Sequence, residues 1–404
     1  MGMEWLKKIY TTFNNKILFN PDAKHPSIEE QKDFLQSFSD PQNDYERSFY
    51  KYKCVEFYYY NKTNRFILNL MSVFALLFFI PFYWIKGLRY NSKFNPYVKK
   101  DTLVCKASKR IPTADIFPQK LKEQYGTCLD AEEVNYAVLA LPKVASKIYF
   151  KAFFRHLNRP HYLLVLLVRL AQDSYLLAKH QPSCLVTYVC EKEFADPLVT
   201  LLCESLGIKY EGFMHGDYLY SVEKAFMHYS TYWVWDNHYK EMFHSLRCSQ
   251  NMEVYLPIKY SGIAKQNEED VEPEYFLTYY CSNETRESMD MIHDVFVKLE
   301  KKGKKCKLRP HPRFSDIEYI KLVFDESMIE SPNEVSIADS IKNTYYSVAV
   351  VSTVLSQAYY SGKKVIIDDY SRKDYFEIIK KSDYIMLNKA DMFLSELVTK
   401  ITRE

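Results

Sequence analysis

From about Lys99 onward the chain alternates short apolar runs with amphipathic stretches, and this alternation limits the possible folds more than any other feature. Short apolar runs predict buried strands, and the amphipathic stretches between them predict helices. The predicted strands are residues 102–107, 184–190, 208–214, 231–235, 275–280, 306–308, 348–351 and 365–368. Strands that alternate with helices in this way are typical of an α/β fold around parallel sheets.

The alternation is interrupted at residues 261–274 by a charge-rich tract that contains a proline. Such a tract is typical of a linker between domains. We therefore predict an N-terminal region (1–98), a Rossmann-like domain (99–262) and a second Rossmann-like domain (275–404). Open α/β sheets bind ligands at the carboxyl ends of their strands. We expect the two domains to face each other across a central cleft.

Residues 66–85 are twenty consecutive uncharged residues, flanked by Lys and Arg on both sides. A helix of this length can cross the hydrocarbon core of a bilayer. The segment is predicted to associate with a membrane, either spanning it or lying in its interface; a buried core helix is the alternative. One such segment does not support a transporter. No signal peptide is predicted, and residues 22–46 are expected to be irregular or loosely helical.

Composition excludes several classes of protein. The net charge of +3 argues against a dedicated nucleic-acid-binding protein. The nine cysteines include no C-x-x-C pair, so they predict reduced thiols rather than a zinc site or a disulfide framework. The nine glycines form neither a P-loop nor a G-x-G-x-x-G fingerprint. A bound phosphate would therefore be held by side chains and helix N-termini.

The strongest candidate cluster is Arg309-Pro310-His311-Pro312-Arg313, directly after a predicted strand. The two prolines stiffen the loop, because each fixes its own φ angle. Guanidinium groups form charge-assisted bonds to phosphate, and an imidazole can donate to a leaving phosphate oxygen. A solvated basic turn is the alternative, but the position at a strand end favours a phosphate site.

The second cluster is Ser352-Thr353, between an apolar strand and a predicted helix. Hydroxyl residues at such a junction are good N-caps, which is a sufficient structural explanation for them. The same geometry also presents hydroxyl and N–H groups to a phosphate, so both interpretations stay open.

The third cluster is His215-Gly216-Asp217, at the end of another predicted strand. A histidine that titrates near neutrality can take a proton from an acceptor hydroxyl. Asp217, Glu191 and Glu193 are alternative bases. The pair Asp368-Asp369 could bind a ribose or a cation, but an exposed acidic turn is the favoured interpretation. No Asp-x-Asp triplet occurs, so a metal-bridged diphosphate site is not predicted.

These motifs occur in an order that resembles the bacterial capsule-polysaccharide synthesis family. The wider group includes sialyltransferases, Kdo transferases and teichoic-acid glycerophosphotransferases. The resemblance is carried by residues 215–216, 231–235, 309–313 and 352–358. One departure is Gln357-Ala358, where many relatives have Glu-Ala.

The resemblance implies a GT-B fold, a donor activated by a cytidine nucleotide (CMP or CDP), and catalysis without a metal or other cofactor. His311 would assist the leaving phosphate, with Arg309, Arg313, Ser352 and Thr353 around it. Gly216 and Asp217 would complete the substrate site. His215 matches the base of the glycerophosphotransferases, whereas the sialyltransferases use a carboxylate, which leaves Glu191 and Glu193 open.

The predicted function is that of a glycosyltransferase that builds a capsular or cell-wall polysaccharide at the cytoplasmic face of the plasma membrane. The first Rossmann-like domain would bind a glycan or lipid-linked acceptor, and the second would bind the nucleotide-sugar donor. One alternative is a phosphotransferase that uses CDP-glycerol or CDP-ribitol. Another is a non-catalytic assembly protein that keeps the fold.

Overall fold

The computed structural model describes residues 12, 25–90, 100–106, 123–124, 127–130, 138–188, 193–214, 216–249, 251–255 and 272–403. The chain divides into two compact units. The first unit contains Met1–His215 and Ser221–Tyr255, and the second contains Gly216–Tyr220 and Leu256–Glu404.

The first unit is built around a parallel sheet in the strand order β2-β1-β3-β4-β5-β6. The order reverses at β1 and β3, as in doubly wound α/β folds. The strands are β1 (Lys100–Lys106), β2 (Thr127–Asp130), β3 (Pro182–Tyr188), β4 (Lys209–Phe213), β5 (Thr231–Val234) and β6 (Met252–Val254).

Local sequence signals set the ends of several helices in this unit. A capping box joins Ser27 and Glu30, and the Asn43 side chain caps the second helix. Gly207, in the left-handed region at φ 66°, follows the sixth helix. The helices are α1 (Ile28–Gln36), α2 (Asp44–Tyr59), α3 (Lys62–Tyr90), α4 (Lys143–Arg155), α5 (Pro160–His180), α6 (Asp196–Ser205) and α7 (Asn237–Ser245).

The second unit has its own parallel sheet, in the order β11-β10-β9-β7-β8. Its strands are β7 (Tyr275–Tyr280), β8 (Cys306–Arg309), β9 (Thr344–Ala349), β10 (Lys364–Ile367) and β11 (Met392–Phe393). Its helices are α8 (Arg286–Glu300), α9 (Ile317–Val323), α10 (Ile337–Lys342), α11 (Thr353–Tyr360), α12 (Lys373–Lys381) and α13 (Leu394–Arg403). The apolar face of α8 packs on the sheet and completes the core of this unit.

The predicted α/β fold with parallel sheets is confirmed. Every predicted strand overlaps an observed one, whereas the short strands β2, β6 and β11 were not predicted. Residues 22–46 were predicted to be irregular or loosely helical, but α1 and the start of α2, which lie in this range, are regular helices with side-chain N-caps. Most of the predicted linker lies outside the described residues. The three-part division and the central cleft stay predictions.

Helix α3 contains the predicted membrane-associating segment. By length and composition it could cross a membrane, yet 22% of its most apolar stretch is already buried against the protein. Its main neighbour is α5. The helix is thus attached to the first unit along part of its surface.

His161 makes the stability of the first unit depend on pH. It is fully buried in the first turn of α5, 3.4 Å from the Tyr60 hydroxyl, and burial lowers its pKa to about 4. Below pH 6.5 the unfolded chain takes up a proton that the folded unit does not bind, so stability falls as the pH falls. Between pH 7 and pH 5 this group alone should cost about 2 kcal/mol.

A His161→Gln variant isolates this contribution, because glutamine does not titrate. We expect the loss of unfolding free energy between pH 7 and pH 5 to be about 2 kcal/mol larger for the wild type than for the variant. Urea unfolding followed by tryptophan fluorescence measures it, since all four tryptophans belong to the first unit. Equal pH dependence in the two proteins would contradict the burial of a neutral His161.

Candidate active site

The carboxyl ends of the second sheet carry most of the predicted site. Because all its strands are parallel, the loops that follow them emerge at one edge. The strand order reverses between β7 and β9, which pair directly, and β8 lies on the other side of β7. The loops after β7, β8 and β9 are therefore neighbours at the position where open α/β sheets bind ligands.

The loop after β8 fixes both the position and the protonation of His311. The backbone N–H of His311 donates to Ser315 Oγ at 2.8 Å, and its Nδ1 accepts from the backbone N–H of Arg313 at 3.1 Å. A ring nitrogen that accepts carries no proton, so the proton of the neutral ring lies on Nε2. Burial, and then the charge of Arg313, lower the pKa of His311. His311 therefore offers a neutral N–H donor at neutral pH.

The two arginines of this loop differ in their surroundings. Arg313 is exposed and close to the His311 ring. Arg309 is buried, and its guanidinium donates to Glu330 Oε1 at 2.5 Å and to the Val335 carbonyl at 2.8 Å. A phosphate would have to compete with a carboxylate for Arg309. The contacts of Arg309 are those of a residue that holds the loop in place.

Ser352 is the N-cap of α11, which agrees with the structural interpretation of the Ser352-Thr353 cluster. Its Oγ accepts from the Val354 N–H at 3.2 Å, and its own N–H lies 3.4 Å from the Tyr384 hydroxyl. Thr353 is the first residue of the helix and is partly exposed. The positive end of α11 is thus directed to the same edge of the sheet as the His311 loop.

The segment of Gly216 and Asp217 contacts the start of α11. Ser356 Oγ lies 2.7 and 2.6 Å from the two carboxylate oxygens of Asp217, and its single hydroxyl proton is donated to that carboxylate. A Cβ atom placed on Gly216 would lie 3.5 Å from Thr353 Oγ1. The structure therefore brings Gly216 and Asp217 to the second cluster, although the Asp217 carboxylate is occupied by a buried serine.

The candidate bases are only partly described. His215 and Glu191 lie outside the described residues, so their roles stay predictions. Glu193 is near Arg169: burial acts to lower the pKa of Arg169, but Glu193 and Asp173 outweigh it and raise that pKa well above its usual value. Glu193 is therefore one of the acidic groups around Arg169.

Sequence reasoning missed Glu284, in the loop after β7. Its Oε2 accepts from the Ser282 N–H at 2.6 Å, and burial raises its pKa to about 7. A carboxyl group with this pKa can give or take a proton at neutral pH. A polar side chain shortly after an apolar strand was the signal available in the sequence.

Asp368 was expected in an exposed acidic turn, and this expectation was wrong. The residue is fully buried, and its carboxylate accepts from the Tyr279 hydroxyl at 2.8 Å and from the N–H groups of Tyr370 and Ser371. These bonds fix the turn after β10 and leave little capacity for a ribose or a cation. Among the described residues, no three His, Cys, Asp or Glu side chains form a potential metal site.

Comparisons with known proteins give structural likeness only. No protein-family model and no curated protein matches the chain. The UDP-GlcNAc 2-epimerase of Methanocaldococcus jannaschii, in complex with UDP-GlcNAc and UDP, is 13% identical; the match covers 76% of this chain and 92% of that one, with a TM-score of 0.43. The epimerase of Rickettsia bellii is 9% identical, with coverages of 66% and 77% and a TM-score of 0.41.

A variant of the wall teichoic acid polymerase TagF is also similar. It is 10% identical, the match covers 85% of this chain and 88% of that one, and the TM-score is 0.43. Likeness this weak does not bear on the reaction, which has to be argued from the residues of the chain itself.

Proposed function

We propose that the protein is a metal-independent glycosyltransferase that uses a nucleotide-activated donor. The observation that supports this most is the His311 loop: a neutral imidazole with its proton on Nε2, held rigidly at the ligand-binding edge of a parallel sheet. The N-terminus of α11 points to the same edge. A helix N-terminus and a preorganised N–H donor are the groups that stabilise a departing phosphate.

In the proposed reaction a base removes the proton of the acceptor hydroxyl while its oxygen bonds to the anomeric carbon of the donor sugar. The bond between that carbon and the phosphate oxygen breaks, and the nucleotide leaves with the electron pair. His311 donates its Nε2–H to the leaving phosphate, and Arg313, Thr353 and the α11 N-terminus share the growing charge. His215, the residue before Gly216, is the proposed base, and Glu191 is the alternative.

The finer parts of the proposal come from the sequence motifs. The donor is CMP- or CDP-linked, and the acceptor is a lipid-linked or growing surface polysaccharide. The enzyme would work without a cofactor at the cytoplasmic face of the plasma membrane. In this proposal Arg309 positions the loop through Glu330 rather than binding phosphate itself.

A second candidate is transfer of glycerol phosphate or ribitol phosphate from a CDP-linked donor. It is favoured by His215-Gly216, which resembles the base motif of the teichoic-acid glycerophosphotransferases. In that reaction the attacked atom is the phosphorus that carries the alditol, and CMP leaves, as it does from a CMP-sugar, so the same residues would serve. The two candidates differ in the donor and in the bond that breaks.

Nucleotide release from defined donors tests the proposal. Purified protein is incubated with CMP-sialate, CMP-Kdo, CDP-glycerol or CDP-ribitol, each with a lipid-linked acceptor and EDTA. Thermal-shift measurements with CMP, CDP, UDP and GDP run in parallel, since a ligand that binds the folded form raises its melting temperature. We expect CMP or CDP to raise it most, and a CMP-sugar to release nucleotide in EDTA.

The outcomes separate the candidates. Release from the CDP-alditols alone would replace the glycosyltransferase by the phosphotransferase. Release that EDTA abolishes would overturn catalysis without a metal. No nucleotide binding at all would favour a non-catalytic assembly protein, which also predicts normal polysaccharide production by a His311→Ala strain.

A further inference from the structure

One side of α3 is exposed and apolar. Between positions 66 and 88 its strongly exposed large side chains have 44% to 70% of their surface in contact with solvent. They are Phe66, Leu70, Val73, Phe74, Leu77, Phe78, Trp84, Ile85 and Leu88. Their spacing follows the helical period, so they form one continuous stripe. A stripe of this extent is far larger than the scattered apolar residues of an ordinary surface.

The opposite side of α3 is fixed to the first unit from one end to the other. Near its start, Arg65 Nε is 3.1 Å from Glu56 Oε1, and Asn69 Oδ1 accepts from the His161 N–H at 3.1 Å. Near its end, the Tyr83 carbonyl accepts from the Leu141 N–H at 2.9 Å. The buried side chains between these points are Leu68, Ser72, Leu76 and Tyr83.

These attachments decide how the helix can meet a bilayer. From Arg65 to Tyr83 the helix is attached over about 27 Å, close to the thickness of a hydrocarbon core. A helix that crossed the bilayer would have to take the attached α5 and sheet with it or break these contacts. Lying parallel to the membrane surface keeps every contact and still covers the apolar stripe with lipid.

The stripe continues onto α4, and both helices carry exposed basic residues. The Trp84 and Phe150 rings are in contact, with centroids 6.4 Å apart, and Phe154, one turn further along α4, is strongly exposed. Lys62 and Arg89 are exposed at the two ends of α3, Lys143 and Lys147 are exposed on α4, and neither helix contains Asp or Glu. Positive charge beside an apolar surface is complementary to anionic lipid headgroups.

We propose that the stripe on α3, with Phe150 and Phe154 of α4, is a docking face that seats the first unit in one leaflet of an anionic membrane with α3 in the membrane plane. This inference does not depend on the proposed function, because it concerns lipid binding in the absence of nucleotide. It assigns a partner and an orientation: both ends of α3 stay on the same side of the bilayer.

Vesicle flotation tests the partner. Full-length protein should float with vesicles of phosphatidylcholine and phosphatidylglycerol, and less with phosphatidylcholine alone. Phe74→Glu and Phe78→Glu should each weaken binding on the order of tenfold or more, because each places a charge where apolar area was buried. Leu322→Glu is the matched control: Leu322 is 82% exposed but lies on α9 in the second unit, so its binding should equal the wild type.

Cysteine labelling tests the orientation. Lys62→Cys and Arg89→Cys mark the two ends of α3, and seven of the nine cysteines are buried, which lowers the background. A membrane-impermeant maleimide added outside the vesicles should label both positions. Protection of one end until detergent is added would show a span and overturn the proposal.

Two further results would also overturn the proposal. One is a failure of the wild type to float. The other is a wild type that forms a dimer and does not bind vesicles, if Phe74→Glu dissociates that dimer. This result would show that a second copy of the chain, rather than lipid, covers the stripe. Tryptophan fluorescence confirms that each variant folds. If a Glu variant does not fold, Phe78→Ser replaces it, with a smaller loss of binding expected.

Discussion

His311→Ala should lower the turnover number on the order of 100-fold or more, while the KM for the donor changes much less. The Nε2–H of His311 meets negative charge that develops only as the leaving phosphate departs, so its loss affects the transition state more than the bound donor. Removing one preorganised donor of this type typically costs about 3 kcal/mol of barrier. Steady-state kinetics of nucleotide release measure both constants.

His311→Gln is the matched variant, because a glutamine amide can place an N–H near the position of Nε2. We expect it to recover part of the lost turnover. Histidine NMR adds an independent check: the lowered pKa predicts a ring that is neutral at pH 7, with its proton on Nε2, and that titrates below pH 6.5. Turnover of His311→Ala within a few-fold of the wild type, at equal stability, would remove His311 from the mechanism.

The position of a site residue could be predicted where the residues next to it in the sequence determine its local structure. His311 comes just after a short apolar strand and between two prolines, so its place in a rigid loop at the sheet edge could be read from neighbouring residues. Ser352 precedes an apolar helical stretch, which is a local signal for an N-cap, and the cap is observed. Both features depend on a few consecutive residues.

The sequence was not informative where a side chain is paired over a long separation. Arg309 and Glu330 are 21 residues apart, and Asp217 and Ser356 are 139 residues apart. No periodicity or local motif links such residues, because only the folded chain brings them together. Arg309 and Asp217 therefore looked available for a substrate until their partners were known.

The membrane segment shows a different limit. A spanning helix and a helix that lies in the interface can have the same length and composition, and α3 contains no charged residue between Arg65 and Lys86. What separates them is whether one side is attached to the protein. For α3 that attachment comes from residues more than fifty positions further along the chain, such as Leu141 and His161.

Gly87→Ala tests the attachment of α3, and it should destabilise the first unit by about 3 kcal/mol, at the upper end of the usual range for overpacking. A Cβ atom on Gly87 would lie 1.8 Å from the Leu141 carbonyl oxygen and 2.4 Å from its carbon. Both atoms belong to the backbone, so no side-chain rotation can relieve the contact. For a unit of this size we expect the melting temperature to fall by roughly 6–12 °C.

The sign of this effect is what makes the test decisive. In a helix that touches nothing, Gly→Ala stabilises by about 1 kcal/mol, because alanine is the better helix former. A free spanning or detached α3 therefore predicts a more stable protein, whereas an α3 held against Leu141 predicts a large loss. Leu88→Ala, one residue further along on the exposed side, is the control and should leave unfolding nearly unchanged. If Gly87→Ala unfolds at a higher urea concentration than the wild type, α3 is not held against Leu141, and the in-plane orientation loses its structural basis.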